Sequence, residues 1–183
     1  MSAAGPRRGT QGGDITGNIL HHWREAVPHD RMAHLVRDTE RAFRRALQIR
    51  LAEYKVPFGH WSFLRILWES DGLTQKELSS RAGVMEPTTF AAMKAMEALG
   101  YITRKQLPTN KKNVYVHLTA AGRALKRKLV PLAEETNHIS IRNVNPADLA
   151  TARRVLLAMI ENLAQDEQTQ PPRAPGKAAG RAK

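Results

Sequence analysis

The chain of 183 residues contains no cysteine, which excludes disulfide bridges, thiolate metal sites and thiol-based redox sensing. No apolar run approaches the roughly 20 residues that a membrane-spanning helix needs. The first residues lack the positively charged segment followed by an apolar segment that is typical of a signal peptide. We therefore expect a cytoplasmic protein with no membrane contact.

Acidic residues are also scarce, because 17 Asp and Glu stand against 29 Lys and Arg and give a formal net charge of +12. This balance favours a polyanionic partner, since clustered cations release counterions from phosphates. The sequence has no Gly-rich phosphate loop and no nucleophile elbow, so we predict neither an enzyme nor a cofactor. The seven histidines are scattered without metal-ligand spacing, and we predict no metal site.

The stretch of residues 73–119 organises the rest of the chain. Thr74 begins a short helical pattern, and Glu77 follows it at the spacing of a capping box. Gly83 then supplies a turn, and Pro87 suits the first turn of a second helix because its missing N–H would have no partner there. A helix, a turn with glycine and a second helix are typical of a helix-turn-helix.

Two strand-like runs follow the second helix. Residues 101–105 and 113–118 alternate with a period of two, and residues 108–110 form the turn between them. Four cations without an intervening acid flank this turn: Arg104, Lys105, Lys111 and Lys112. The sequence therefore predicts a winged helix-turn-helix, a module that binds DNA, whose β-hairpin wing has a basic tip.

Helical patterns on both sides of this lobe carry apolar stripes. Residues 31–54 and 146–163 repeat apolar residues at helical spacing, and such stripes need a partner surface. Residues 58–69 are apolar on most sides and predict a buried central helix. The predicted fold class is mainly α with a small β-hairpin wing. Its parts are a disordered N-terminal arm (1–17), a helical dimerisation region (18–57 and 119–166), a winged helix-turn-helix lobe (58–118) and a disordered basic tail (167–183).

An ordered set of motifs spans the lobe: Leu73-Thr74-Gln75, Glu77-Leu78, Gly83-Val84, Met96-Glu97, Gly100-Tyr101-Ile102, Arg104, Pro108, Asn110, Lys111, Lys112, Val116-His117-Leu118-Thr119 and Gly122. This set resembles the MarR family of bacterial transcription regulators. The resemblance implies a homodimer whose first and last helices interlock and whose two lobes bind a palindromic operator. It also implies a small ligand that weakens DNA binding.

The chain departs from the pattern of that family at four positions. Asn110 and Lys111 stand where the wing of the family commonly carries an Asp and then an Arg. Since lysine lacks the planar fork of arginine, we expect a weaker minor-groove contact. Pro87 stands where a Ser is usual and Ala91 where a basic residue is frequent, so the DNA-contacting surface is small and partly apolar.

The predicted DNA-contacting residues fall into three sets. On the first motif helix, where phosphate contact is expected, they are Thr74, Gln75 and Ser79; on the second, they are Thr88, Thr89, Phe90, Ala91 and Lys94; at the tip of the wing, they are Asn110, Lys111 and Lys112. Methyl groups of Thr and Ala suit thymine methyls, which predicts an operator rich in A·T at the contacted steps. The alternatives are ordinary capping for the first set, packing against the lobe for Phe90 and Ala91, and a solvated turn for the lysines.

A ligand site is predicted on the central helix. His60, Trp61 and Arg65 would suit a small aromatic carboxylate through a charge-assisted hydrogen bond and ring stacking. Trp23 could close such a pocket from the N-terminal segment. The alternative for His60 is a hydrogen-bonded core histidine.

The sequence thus favours a dimeric, ligand-responsive and sequence-specific DNA-binding regulator, a repressor that lies on the nucleoid when bound to double-stranded DNA. A nonspecific or architectural nucleic-acid-binding protein is the first alternative, which the sequence pI near 10.6 would suit. A protein-interaction module that uses the winged fold without DNA is the second. The apolar stripes favour the regulator, because they predict a dimer, and a dimer can bind two half-sites at a fixed spacing.

Overall fold

The computed structural model describes residues 32–107 and 110–169. Within them the chain forms α1 (Met32–Ala52), α2 (Phe58–Glu69), β1 (Leu73–Thr74), α3 (Gln75–Ala82), α4 (Glu86–Ala98), β2 (Ile102–Leu107), β3 (Asn110–Leu118), α5 (Ala120–Ser140) and α6 (Pro146–Thr169). The mainly helical class with a small sheet is confirmed. The described residues divide into two compact units, the first ending at Thr136 and the second beginning at Asn137. The predicted arm, 1–17, lies outside them.

The core of the first unit is built around α2. Pro57 is extended and stands directly before α2, so the helix begins at Phe58 as predicted. Five of the twelve side chains of α2 are buried: Trp61, Phe63, Leu64, Ile66 and Leu67. The prediction of a buried central helix is therefore confirmed. The same core includes Leu47 and Leu51 of α1 and Leu129 of α5, so both flanking helices contribute to it.

The predicted hairpin is confirmed, but its strands are longer and the sheet has a third member. β2 pairs antiparallel with β3 from Ile102 opposite Leu118, and the register shifts near Leu107. β1, which the sequence did not predict, pairs with the other edge of β3, with Leu73 opposite Val116. A strand of two residues is too short to show a period of two, so pattern analysis misses it.

The second unit holds the last turn of α5 and all of α6. α6 begins at Pro146, where the predicted helical pattern of residues 146–163 also begins. Asn145 caps it, since its Oδ1 accepts a hydrogen bond from Ala147 N at 2.9 Å. The helix continues to Thr169, so the disordered tail predicted from residue 167 starts too early, and residues 170–183 lie outside the described part. No side chain of α6 is buried. Among the described helices, none is both long and apolar enough to cross a membrane.

Candidate nucleic-acid interface

The helix-turn-helix is formed by α3, Gly83 and α4. At the start of α3, the Thr74 hydroxyl accepts a hydrogen bond from Glu77 N at 3.2 Å while Glu77 Oε2 accepts one from Thr74 N at 2.7 Å. This confirms the capping box. Gly83 has a φ of 63°, a left-handed conformation that favours glycine, and it ends α3.

A buried hydrogen bond links the two motif helices. Ser79 Oγ donates to Thr89 Oγ1 at 2.7 Å, and both residues are buried. Because neither hydroxyl reaches the surface, the prediction that Ser79 and Thr89 contact DNA is corrected. The pair fixes α4 against α3.

The outer face of α4 stays open. Thr88, Phe90, Ala91 and Lys94 are exposed, and 55% of the Phe90 surface is accessible. The alternative in which Phe90 and Ala91 pack inside the lobe does not fit these exposures. Near the start of α3, Thr74 and Gln75 are half-buried, and the Thr74 hydroxyl is engaged in the capping box. The exposed DNA-facing candidates in the described motif helices therefore concentrate on α4.

Arg104 joins the base of the wing to α4. Its Nε and Nη2 donate to Glu97 Oε2 at 2.8 Å and 2.6 Å, and its backbone N donates to Glu97 Oε1 at 2.9 Å. The guanidinium carbon also lies 5.8 Å from the centroid of the Phe90 ring. Arg104 is thus neutralised by Glu97, and it does not add a free charge to the basic tip as the sequence had suggested. Its role is to position the wing beside the exposed face of α4.

The wing tip continues from this base. Asn110, Lys111 and Lys112 occupy the first three positions of β3, directly after residues 108–109, which lie outside the described part of the chain. Their backbone therefore stands at the far end of the hairpin, away from the base that Arg104 anchors. Their contacts with DNA stay a prediction.

Asp71 also holds the base of the wing, a role that the sequence did not reveal. Its Oδ1 accepts hydrogen bonds from Leu118 N at 2.8 Å and from Gly72 N at 3.0 Å. Its Oδ2 lies 3.3 Å from Arg123 Nη1 on α5. The sequence does not indicate these bonds, because the partners of Asp71 lie 47 and 52 positions further along the chain.

The link between Glu97 and Arg104 makes folding stability depend on pH. The side-chain hydrogen bond from Arg104 holds the pKa of Glu97 below its usual value of 4.5, although partial burial opposes the shift. Because the pKa of Glu97 is lower in the folded state, its carboxylate stabilises the fold at pH values above the usual pKa. This stabilisation is lost as the pH falls through the pKa of the folded state. We expect a fall of at most about 1 kcal/mol between about pH 6 and about pH 3, because solvent screens a carboxylate that is 36% exposed.

Urea unfolding at a series of pH values measures this dependence. The Glu97→Gln variant should show a shallower loss of unfolding free energy than the unmodified chain. Arg104→Gln should flatten the curve in the same way, because it removes the donor. If both variants keep the original pH profile, the assigned ion pair does not contribute to stability.

The predicted ligand residues differ in their burial. Trp61 is buried in the core, with its ring 5.6 Å from that of Trp68, whereas Arg65 is exposed and lies 3.9 Å from Glu69. His60 is half-buried, and burial lowers its pKa. Its Nδ1 is buried and finds no hydrogen-bond partner among the described residues, so the alternative of a hydrogen-bonded core histidine does not fit. Trp23 lies outside the described part. The ligand-binding role of these four residues stays a prediction.

Comparisons with known proteins agree with this geometry. Residues 59–114 match the MarR family. The HTH-type transcriptional regulator TtmR of Methylorubrum extorquens is 34% identical over 88 residues, which are 48% of this chain and 45% of that protein. The chain thus matches less than half the length of this curated relative.

Two solved structures share the fold. A MarR-family regulator from Listeria monocytogenes in complex with a 26mer DNA has a TM-score of 0.67 and 22% identity, covering 78% of this chain and 98% of that one. BpsR of Bordetella bronchiseptica, whose DNA binding is regulated by 6-hydroxynicotinic acid, has a TM-score of 0.66 and 21% identity, covering 71% and 98%. At this identity the likeness shows the fold. The match to the MarR family thus falls on the winged helix-turn-helix lobe, from α2 into β3.

Proposed function

We propose that two copies of the chain form a homodimer that binds a palindromic operator in double-stranded DNA. The dimer acts in the cytoplasm as a repressor, and a small aromatic carboxylate weakens its binding to DNA. α4 enters the major groove, and the wing contacts phosphate or the minor groove. The dimerisation region is proposed within residues 18–57 and 119–166.

The exposed outer face of α4 carries the proposal of DNA binding. The buried bond between Ser79 and Thr89 orients α4, so that Thr88, Ala91 and Lys94 point away from the lobe. A helix held in this way, with small residues and one cation on its free face, fits a groove that admits an α-helix. The Listeria monocytogenes protein, which has this fold, was solved with DNA.

Unburied apolar side chains support the homodimer. On α1 the large exposed ones are Met32, Leu35, Val36, Phe43 and Ile49; on α6 they are Leu149, Val155, Leu156, Leu157, Ile160 and Leu163. A single soluble chain rarely leaves so many large apolar groups in water, so a partner surface is expected to cover them. A second copy of the chain supplies the same two helices, which makes a self-complementary interface possible.

The proposal of an aromatic carboxylate has support from a structural neighbour. BpsR responds to 6-hydroxynicotinic acid, a ring compound with a carboxylate. Arginines suit such a ligand, since a guanidinium pairs with a carboxylate through two parallel hydrogen bonds. Several arginines of α1 lie in the described first unit, among them Arg41, Arg44 and Arg45.

Fluorescence anisotropy with the promoter DNA around the gene of this protein tests the proposed function. We expect an affinity for this DNA on the order of 1,000-fold or more above that for random DNA, measured with random competitor at two salt concentrations. Equal affinity for both DNAs would instead favour the nonspecific or architectural protein. Absence of binding to either at modest salt would favour a protein-interaction module.

The lysines of the wing tip give a separate prediction on the same assay. Removing the charge of Lys111 or Lys112 with a glutamine should reduce the slope of log affinity against log salt by roughly 1, because one phosphate contact is lost. The ratio of operator to random affinity should stay nearly unchanged, since phosphate contacts carry no sequence information. A slope that stays the same in both variants would remove these lysines from the DNA interface.

A further inference from the structure

Phe90 is the one large apolar side chain that α4 exposes, with 55% of its surface accessible. We propose that Phe90 determines the sequence specificity of the chain, because its ring recognises the C5-methyl group of a thymine in the major groove. This inference rests on the proposed function and deepens it, since it assigns a base and a chemical group to one residue of α4.

Phe90 stands at the border between the outer face of α4 and the wing. At about 100° per residue, Lys94 lies about 40° from Phe90 on the outward side of the helix. Met93, which is buried, lies about 60° from Phe90 on the other side. Glu97 follows Phe90 by seven positions and is almost in line with it, and Glu97 pairs with Arg104 of β2. The ring therefore projects beside the wing and is not packed inside the lobe.

Arg104 limits the directions that the Phe90 ring can take. The guanidinium lies over the ring, with its carbon 5.8 Å from the centroid. Arg104 is itself held by Glu97, whose Oε2 accepts hydrogen bonds from Nε at 2.8 Å and from Nη2 at 2.6 Å. Because a cation and a ring face attract each other, the ring keeps one face toward the wing and leaves its edge and other face for a partner. Arg104 is thus a positioning residue, and an oriented ring costs less entropy on binding.

A phenyl ring offers no hydrogen bond, and this restricts what it can contact in DNA. Phosphates are bound by cations and hydrogen-bond donors. The base edges in the major groove present donors and acceptors, and their one apolar group is the C5-methyl of thymine. A ring placed against a donor or acceptor would leave that polar group without a partner, which weakens binding. The Phe90 ring therefore favours thymine and disfavours the other bases at the same step.

The other outward side chains of α4 are less suited to this contact. Ala91 and Ala95 extend no further than their Cβ atoms, and Thr88 lies about 160° around the helix from Phe90. Lys94 is a cation, which suits a phosphate or a guanine. We therefore expect one thymine in each half-site to depend on Phe90 and not on these neighbours.

Replacing the thymines of the promoter DNA by uracil, one at a time, tests the inference, because uracil lacks only the methyl group. We expect one replacement in each half-site to weaken binding of the unmodified chain by about fourfold, the effect of one buried methyl group. The Phe90→Ala variant should bind thymine and uracil equally at that step. Leu99→Ala is the matched control and should keep the difference, since Leu99 is 51% exposed at the end of α4, on the opposite side of the helix from Phe90.

Cytosine and 5-methylcytosine separate the methyl group from the rest of thymine. At the step that uracil identifies, a C·G pair should bind the unmodified chain more weakly than T·A. Methylation of that cytosine at C5 should restore about fourfold in affinity, and it should restore nothing in the Phe90→Ala variant. If 5-methylcytosine binds like cytosine, the polar edge of thymine is recognised and the inference is wrong.

The Arg104→Lys variant tests the positioning role. Lysine keeps the charge beside Glu97 but removes the planar group from the Phe90 ring. We expect the difference between thymine and uracil to fall below about twofold, while the affinity for random DNA stays unchanged. A difference that stays at about fourfold would show that Arg104 does not orient the ring.

The same measurements distinguish the failure of this inference from the failure of the proposed function. If promoter DNA is preferred over random DNA while no uracil effect depends on Phe90, the inference is wrong and the regulator stands. If the chain binds both DNAs equally but its preference for thymine over uracil is lost in Phe90→Ala, the methyl contact stands and the proposed function is wrong. If the chain binds neither DNA, both are wrong.

Discussion

The Gly122→Ala variant is expected to lose about 3 kcal/mol of its unfolding free energy, the upper part of the range for an overpacked interior. A Cβ at this position of α5 would collide with the backbone oxygen of Tyr101 and would lie 3.1 Å from Leu118 Cδ2. Thermal unfolding followed by circular dichroism measures the loss. A fall of roughly 6 to 12 °C in the melting temperature corresponds to it for a chain of this size.

The loss is large because the groups around Gly122 cannot move aside. Tyr101 O is a backbone atom, and it accepts a hydrogen bond from Thr119 N at 3.0 Å. On the other side, Trp68 Nε1 donates to the carbonyl of Gly122 at 2.9 Å. α2, α5 and the root of the wing meet at this one residue, so relief of the collision must displace a helix or break one of these bonds.

Gly59→Ala is the matched control. Gly59 lies in the first turn of α2, and a Cβ there would meet nothing within 4 Å. We expect its melting temperature to stay the same or to rise slightly, because alanine reduces the freedom of the unfolded chain. If Gly122→Ala unfolds at the same temperature as Gly59→Ala, the close contact between α5 and the wing root is not a stabilising feature.

Much of the helical architecture was predictable because its signals are local. Pro57, Thr74 and Thr119 each stand directly before a helix or at its cap, and residues of these types favour a helix start. The helix that follows Thr119 is α5, Ala120–Ser140. Capping residues and prolines act within one turn, so the sequence alone places these boundaries.

Contacts across long sequence separations were not predictable. The link between Ser79 and Thr89 joins two helices, and the hydroxyls of Ser and Thr are as common on surfaces as in buried pairs. Because of this, sequence analysis put both residues on the DNA side. Asp71 presents the same problem, since nothing near it in the chain indicates its bond to Leu118.

The predicted ligand residues show that a helical pattern does not determine which side chains of one face are buried. Trp61 and Arg65 are four residues apart, a spacing that predicts a shared face. In the structure that face lies at the edge of the core, so the tryptophan is buried while the longer arginine ends in solvent. The sequence alone does not bring the arginines of α1 together with Phe58, because their proximity depends on the turn between α1 and α2.

The second large effect is expected for Leu156→Asp, which should convert the homodimer to monomers and lower operator affinity about 100-fold or more. Leu156 is 44% exposed and lies on α6, a helix of 24 residues with no buried side chain. In the proposed dimer the partner covers this position, and an aspartate would then be a buried charge without a counterion. Light scattering should give 20.5 kDa, the mass of one chain, in place of twice that value.

The affinity falls because two linked lobes bind two half-sites together. Once one lobe is bound, the other meets its half-site at a high effective concentration, and a monomer lacks this advantage. Gln165→Asp is the matched control, since Gln165 follows Leu156 by nine positions and lies on the opposite face of α6. It introduces the same charge and should leave the mass and the operator affinity unchanged. A Leu156→Asp chain that still has the mass of two copies would show that this face of α6 lies outside the dimer interface.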